Sequence, residues 1–448
     1  MHSTLIDNRF LGSLFSTAEM RQVWSDTATL SRYVDAEVAL ALAEGRLGLI
    51  PAEAAQAIAA GAHGVKLDME RLQQETHNVG YPILPLVHQV AHGLGAAGKY
   101  LHWGATTQDI MDTALVLQIR QGLELLEHDL RAVSLQLRRL SQQYRDTPMA
   151  GRTHLQHALP TTFGLKCAIW LGMVERNLER LQELRPRVLV GQFAGAGGTL
   201  ASLGTRGLEV QAAMMAELRL GVPMTTWHTA RDGLAETAQW LGLVTMSLGK
   251  MAFDVSLMMA NEFSEVFEPF VQGRGASSTM PQKRNPISCE VMIGAAKTVR
   301  HLAGLALDGA VQDFERATGP WQAEWVALPE AFLHTAGSVA QAVFMLSGLE
   351  VDTVRMKHNL DSTGGLIVAE AVMMGLAPIL GRNEAHDVVY AACRTALEHK
   401  RTLADVLKAM PDVMALVNPA QIDEFCDPIN YLGTAPQMVD KMLAMPSP

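Results

Sequence analysis

An all-α fold built on long helices is what this sequence predicts, and three observations predict it. Apolar residues make up 48% of the chain and aromatics only 6%; the apolar majority is Leu, Ala and Met, side chains that keep their rotamer freedom in helices. No proline occurs between Pro85 and Pro148. Late in that gap Leu115, Ile119, Leu123, Leu126, Leu130, Val133, Leu137 and Leu140 recur at spacings of three and four, the repeat of one helical face.

In chain order, residues 1–105 read as an N-terminal cap of shorter helices. The heptad-like segment that follows predicts a helix of about eight turns, with Glu124, Glu127, Asp129, Arg131, Arg138 and Arg139 filling its polar positions. A helix of that length cannot bury its stripe in a small globule, so it requires a bundle, such as one between subunits. Further long apolar-periodic segments run through 161–190, 205–220, 229–268, 287–312 and 330–358. With the first they make a central bundle, 106–358. Strand signals are few. Residues 359–448 read as a C-terminal helical cap, with turns at Thr363-Gly364-Gly365 and Leu380-Gly381-Arg382-Asn383. The run Gly195-Ala196-Gly197-Gly198 lies between helical segments, and without a preceding strand it reads as a bend and not a nucleotide loop.

The formal net charge of −10 argues against nucleic acid as a partner, since phosphate binding needs a basic footprint. A small anion can still be bound where a few cations converge. Cys167, Cys289, Cys393 and Cys426 show no CxxC spacing and read as reduced thiols. The start, Met1 to Asp7, has neither a basic nor an apolar leader region, and no apolar run reaches bilayer length uninterrupted. The expectation is a soluble, cytoplasmic protein with no membrane contact.

Three polar clusters interrupt the helical pattern. The first, His102-Trp103-Gly104-Ala105-Thr106-Thr107-Gln108-Asp109, puts hydroxyls and backbone amides at a helix start, where they can cap the helix or grip a carboxylate. The second, Gly151-Arg152-Thr153-His154-Leu155-Gln156-His157, holds an imidazole suited to acid–base work; a metal on His154 and His157 lacks an evident third ligand. The third is Gly275-Ala276-Ser277-Ser278-Thr279-Met280-Pro281-Gln282-Lys283-Arg284-Asn285-Pro286. Its prolines fix φ and remove donors, so it is no helix interior; a loop with glycines, serines and cations is suited to closing on an anion. Glu290 follows one turn beyond Pro286.

The third cluster is similar to the signature loop Gly-Ser-Ser-x-Met-Pro-x-Lys-x-Asn-Pro of the fumarase/aspartase superfamily, departing at Ala276, where that family usually has Gly. The other two clusters resemble its remaining consensus regions, in the same order. The resemblance implies an all-α fold of three helical domains, whose long central helices form the twenty-helix core of a homotetramer. Each active site would draw on three subunits and would use neither metal nor organic cofactor. It implies that Ser278 is the general base acting beside a carboxylate of a small polycarboxylate, that Lys283 and Asn285 stabilise the resulting dianion, and that His154, paired with Glu290, is the general acid. Thr106, Thr107 and Gln156 match carboxylate-binding positions, and Arg152, Ser277 and Met280 complete the expected pocket.

Trp227-His228-Thr229-Ala230-Arg231-Asp232, Gly249-Lys250-Met251, Glu265-Val266-Phe267-Glu268-Pro269 and the Glu315-to-Trp325 stretch look most like the bacterial 3-carboxy-cis,cis-muconate cycloisomerase branch. Arg316 in the last of these could clamp a further carboxylate. His154 and His77 depart from that branch and are similar to the adenylosuccinate-lyase branch, where they serve a nitrogen leaving group. On that basis the sequence favours a C–N lyase that releases fumarate from an N-substituted aspartate, with the cycloisomerase as the alternative. An inactive structural homologue is disfavoured, because Ser278, Lys283, His154 and Glu290 are all retained.

Overall fold

A computed structural model describes residues 4–446; the first three residues of the start assessed above for a leader lie outside that range. Helices dominate. The longest are Thr107–Gln143, Phe163–Val188, Asp232–Met258, Ile287–Gly309 and Pro320–Ser347. The heptad stripe is the buried face of the first: Ile119, Leu123, Leu126, Leu130, Val133, Leu137 and Leu140 are all at most 1% exposed. This helix has 37 residues and outruns the visible stripe. It starts early because the Asp109 carboxylate accepts from the Thr106 amide while the Thr106 carbonyl accepts from the Asp109 amide, which satisfies the first turn.

Two of the expected segments have other bounds. The one read as 229–268 is helical only to Met258. Ser264, at φ +51, then turns the chain into the strand Val266–Phe267, paired antiparallel with Glu350–Val351. The segment read as 330–358 already begins at Pro320, where proline's fixed φ suits the first helical position. The Gly195–Gly198 run is a turn with positive φ at both of those glycines, as expected.

The chain folds as two compact units, one made of Met1–Asp129, Asn177–Leu248 and Gly294–Ala340, the other of Leu130–Arg176, Gly249–Ile293 and Gln341–Pro448. The sequence division at 105 and 358 follows the chain's length and stays a proposal beside this one. In the first unit the helix Asp26–Arg46 starts at Ser25, whose hydroxyl accepts from the Ala28 amide. Its inner face joins Leu40 to Ile58, Ile83, Leu86, Phe193 and Met214 in one core. Gly45 permits close contact with helix Ala52–Gly61, since a Cβ there would sit 2.4 Å from the Ala55 Cβ.

Glu44 lies on this same buried face, fully enclosed, and neither carboxylate oxygen has a hydrogen-bond partner among the described residues. Burial, and then the charge of Glu37, push its pKa up to about 8. The folded state therefore holds a proton that the unfolded chain releases near the ordinary carboxyl value. The stability this provides is complete below about pH 4.5 and is lost as pH rises through about 8. Glu44→Gln is expected to flatten the fall of melting temperature across that window and to stabilise the protein by on the order of a few kcal/mol above it. An unchanged pH profile of melting temperature would contradict this account of Glu44.

In the second unit Val372, Leu376, Ala385, Val389, Leu403, Leu407 and Ile422 form the core of a helical cluster. Its chain reversals at Gly364, Gly365 and Gly381 all have positive φ, which only glycine adopts without strain. The helix Asp232–Met258, in the first unit up to Leu248, is long and apolar enough to cross a membrane, yet more than half of its most apolar window is buried inside the protein, as in a core helix. All four cysteines are free, Cys167 and Cys289 buried and the other two half-buried.

Candidate active site

The second polar cluster is a β-hairpin, a form the sequence did not suggest. Pro148–Thr153 pairs antiparallel with Gln156–Thr162, and Thr153 faces Gln156 across a two-residue turn. That turn is His154-Leu155, with φ +51 and +64. Two left-handed residues make the turn that matches strand twist, but Asn or Gly normally occupies it. Histidine tolerates this backbone region; a leucine there is strained. The strain holds His154 exposed at the tip, and no hydrogen bond reaches its ring among the described residues. Gln156 is also exposed.

Arg152 is engaged within the protein. Its guanidinium grips Glu265 through two bonds of 3.0 and 2.6 Å and lies 4.7 Å over the Phe263 ring. Glu265 is fully buried and also accepts from the Asn359 amide. Arg152 therefore anchors the hairpin, with both terminal nitrogens committed. Burial, followed by the Arg152 charge, lowers the pKa of nearby His157.

In the third cluster a closed loop sorts its residues into fixed and free. At its base the backbone and side-chain amides of Asn285 both donate to the Gly275 carbonyl, at 3.1 and 3.0 Å. Gly275 has φ +68, and a Cβ would come within 2.6 Å of the Asn285 carbonyl, so the pinch requires glycine. Ser277 Oγ accepts from the amides of Thr279 and Met280, a tight turn that leads into the exposed Met280. Arg284 forks onto Glu350, donates to the Glu268 carbonyl and lies over Phe267. Ser278 and Lys283 remain, both exposed and with no side-chain hydrogen bond among the described residues. Lys283 lines a cavity of about 180 Å³ with Arg274, Pro281 and Asn285. Glu290, in the first turn of helix Ile287–Gly309, is exposed and unbonded to His154.

In the first unit, the start of helix Thr107–Gln143 gathers residues that lie far apart in sequence. Arg316 donates from Nε to Gln108 Oε1 at 3.1 Å, and from one terminal nitrogen to Thr106 Oγ1 at 3.2 Å and to the Ala196 carbonyl at 3.3 Å. Thr106, Thr107 and Arg316, each half-buried, thus share one patch. Beneath it, buried Asp109 accepts from the amides of Thr106, Ala194 and Gly195 and from His228 Nε2. Deeper still, Arg231 is wholly enclosed between Asp112 and Glu324, with Trp227 stacked 4.9 Å from it. Burial would lower the Arg231 pKa, but the two carboxylates more than offset this and raise it; Glu324 is raised by its own burial. His77 stands exposed in the last turn of helix Met69–Val79.

The roles of Asp109, His228, Asp112, Arg231 and Glu324 were not legible from the sequence. The signal was two acids three residues apart in the first turns of the helix, among the apolar Ile110, Met111 and Ala114, a pattern that calls for buried cations or donors.

A family model described as "Lyase" matches residues 15–300, and one described as "Adenylosuccinate lyase C-terminus" matches residues 365–442. The chain belongs to the fumarase/aspartase superfamily. It is 46% identical to the 3-carboxy-cis,cis-muconate cycloisomerase of Pseudomonas aeruginosa, over 98% of this chain and 96% of that one. It is 40% identical to an N-acetyl-S-(2-succino)cysteine lyase of Dickeya dadantii, over 99% and 98%. A crystal structure of a fumarate lyase from Mesorhizobium sp. BNC1 superposes with a TM-score of 0.92 at 54% identity, covering 96% of this chain and 99% of that one. The expectation of an enzyme with this superfamily's all-α fold therefore holds.

Proposed function

We propose that this superfamily member transfers a proton at the carbon beside a carboxylate of a small polycarboxylate, and that its reaction is the lactonising cycloisomerisation of 3-carboxy-cis,cis-muconate. The observation that carries this reading is the 275–286 loop. It fixes Ser277, Arg284 and Asn285 and leaves Ser278 and Lys283 free, in a chain similar end to end to a cycloisomerase. In the lactonising direction a carboxylate oxygen of the substrate bonds to one carbon of a double bond. The Ser278 hydroxyl supplies a proton to the other carbon and regains one from solvent, so the π bond and the carboxylate's charge are exchanged for one C–O and one C–H bond with net uptake of one proton. In reverse, Ser278 removes that proton. Lys283 favours the serine oxyanion and the developing dianion, while Thr106, Thr107 and Arg316, contributed by another subunit of the proposed tetramer, hold a second carboxylate.

The preference for C–N cleavage read from His154 and His77 gives way as the first reading, because the relatives' names favour cycloisomerisation. Fumarate release from a succinyl adduct remains a second reading, favoured by His154 itself: an imidazole at a strained, exposed tip can protonate a departing group, which lactonisation does not require. A homotetramer with sites shared among three subunits fits the unpartnered apolar side chains Leu135, Ile169, Met246, Phe253 and Leu307 on the long helices, each at least half exposed.

A substrate panel separates the readings. Carboxymuconate should lose its conjugated absorbance, while N- and S-succinyl adducts should release no fumarate. Fumarate from an adduct, with carboxymuconate untouched, would replace the first reading by the second. His154→Trp should leave lactonisation within about threefold, whereas it would cut a fumarate-releasing elimination by about 10²- to 10⁴-fold. A large loss of lactonising rate in this variant would show that the imidazole takes part in the cyclisation.

A further inference from the structure

We infer that His228 and Gln108 are positioning residues that preset Thr106 and Arg316 to receive a substrate carboxylate; this rests on the reading above, in which those two groups hold one. The hydrogen bonds close a ring. Asp109 accepts from the Thr106 amide at 3.0 Å and from His228 Nε2 at 2.8 Å. The His228 carbonyl accepts from Gln108 Nε2 at 2.8 Å, and Gln108 Oε1 accepts from Arg316 Nε. Arg316 returns to Thr106 Oγ1. Gln108, Asp109 and His228 are all at most 2% exposed, so the bonds among these three are shielded from water.

Its direction is fixed by chemistry. An ionised Asp109 only accepts, so His228 Nε2 carries the hydrogen, and in the neutral ring Nδ1 is then the acceptor for the Thr226 hydroxyl, 3.3 Å away. Gln108 is held in one amide orientation because its oxygen faces a guanidinium and its nitrogen a carbonyl. Two consequences reach the patch. Thr106 Oγ1 spends a lone pair on Arg316, which turns its own hydrogen away, free to donate. Arg316 has five N–H groups, of which Gln108, Thr106 and Ala196 take three. Both hydrogens of the other terminal nitrogen remain. Thr106 and Arg316 thus offer donors and no competing acceptor, the arrangement suited to an anion that must be oriented more than activated.

The test is His228→Ala, with His228→Gln as rescue, since the glutamine nitrogen can still donate to Asp109. A second variant, Gln108→Met, removes the ring's other link at similar volume. In His228→Ala and Gln108→Met, KM for carboxymuconate should rise about 10- to 100-fold with kcat within about threefold, and His228→Gln should recover most of the loss. Calorimetric titration of the full-length chain with citrate, a tricarboxylate with no double bond to react, should follow the same order of affinities. This titration stands even if carboxymuconate is not the substrate, so failure of the reaction assignment is distinguishable from failure of the ring. Unaltered KM and citrate affinity in folded His228→Ala and Gln108→Met would overturn the inference, as would a fall in kcat alone.

Discussion

Ser278→Ala should lower turnover by about 10²- to 10⁴-fold and leave the melting temperature unchanged. The second half of that expectation follows from geometry. Ser278 is exposed, and its hydroxyl makes no hydrogen bond among the described residues, so truncation removes neither packing nor a partner. The first half follows from the reaction proposed. A proton beside a carboxylate is weakly acidic, and of the loop's other hydroxyls Ser277 Oγ accepts from two backbone amides and Thr279 Oγ1 lies 3.4 Å from Ser277 Oγ. Ser277→Ala is the informative control, since it should loosen the Thr279–Met280 turn and cost less activity. Near-normal turnover in Ser278→Ala would mean that another group moves the proton.

The largest stability effect is expected at Arg231→Met. Arg231 is fully buried and bonded through 2.6 and 2.8 Å contacts to Asp112 and through 2.9 and 2.6 Å contacts to Glu324. Removing the cation leaves two buried carboxylates facing each other without compensation, which costs about 3–5 kcal/mol. Asp112 also helps push Tyr33 up to about 12, after burial itself. The loss should be largest at neutral pH and shrink towards about pH 4, where the orphaned acids can take protons. Urea unfolding at both pH values measures this. A loss below about 1 kcal/mol at neutral pH would show that the triad is not the buried ion cluster its geometry describes.

How much of this was legible in the sequence varied with the kind of interaction. The stripe from Ile119 to Leu140 is a repeat within one helix, so its spacing alone foretold its burial. The loop from Gly275 to Pro286 was legible as a loop because glycine and proline have fixed local meanings; which of its residues are free was not, since that depends on partners outside it, Glu268 and the more distant Glu350. The hairpin at His154 was illegible because its turn breaks the usual residue preference, with strain supplied by the strands on either side. The grip of Arg152 on Glu265 was not legible because nothing local announces Glu265. The Asp109–His228 ring joins residues more than a hundred positions apart, a distance over which a sequence pattern carries no geometry.

Proton transfer at the carbon beside a carboxylate is the central claim, and the most direct measurement is to run the reaction in D₂O and follow it by NMR. Incubation of the wild-type protein with 3-carboxy-cis,cis-muconate should give a lactone carrying one deuterium, on a single face, at the carbon next to the carboxylate, and Ser278→Ala should give almost none. A product without solvent deuterium at that carbon, or equal labelling by Ser278→Ala, would contradict the account.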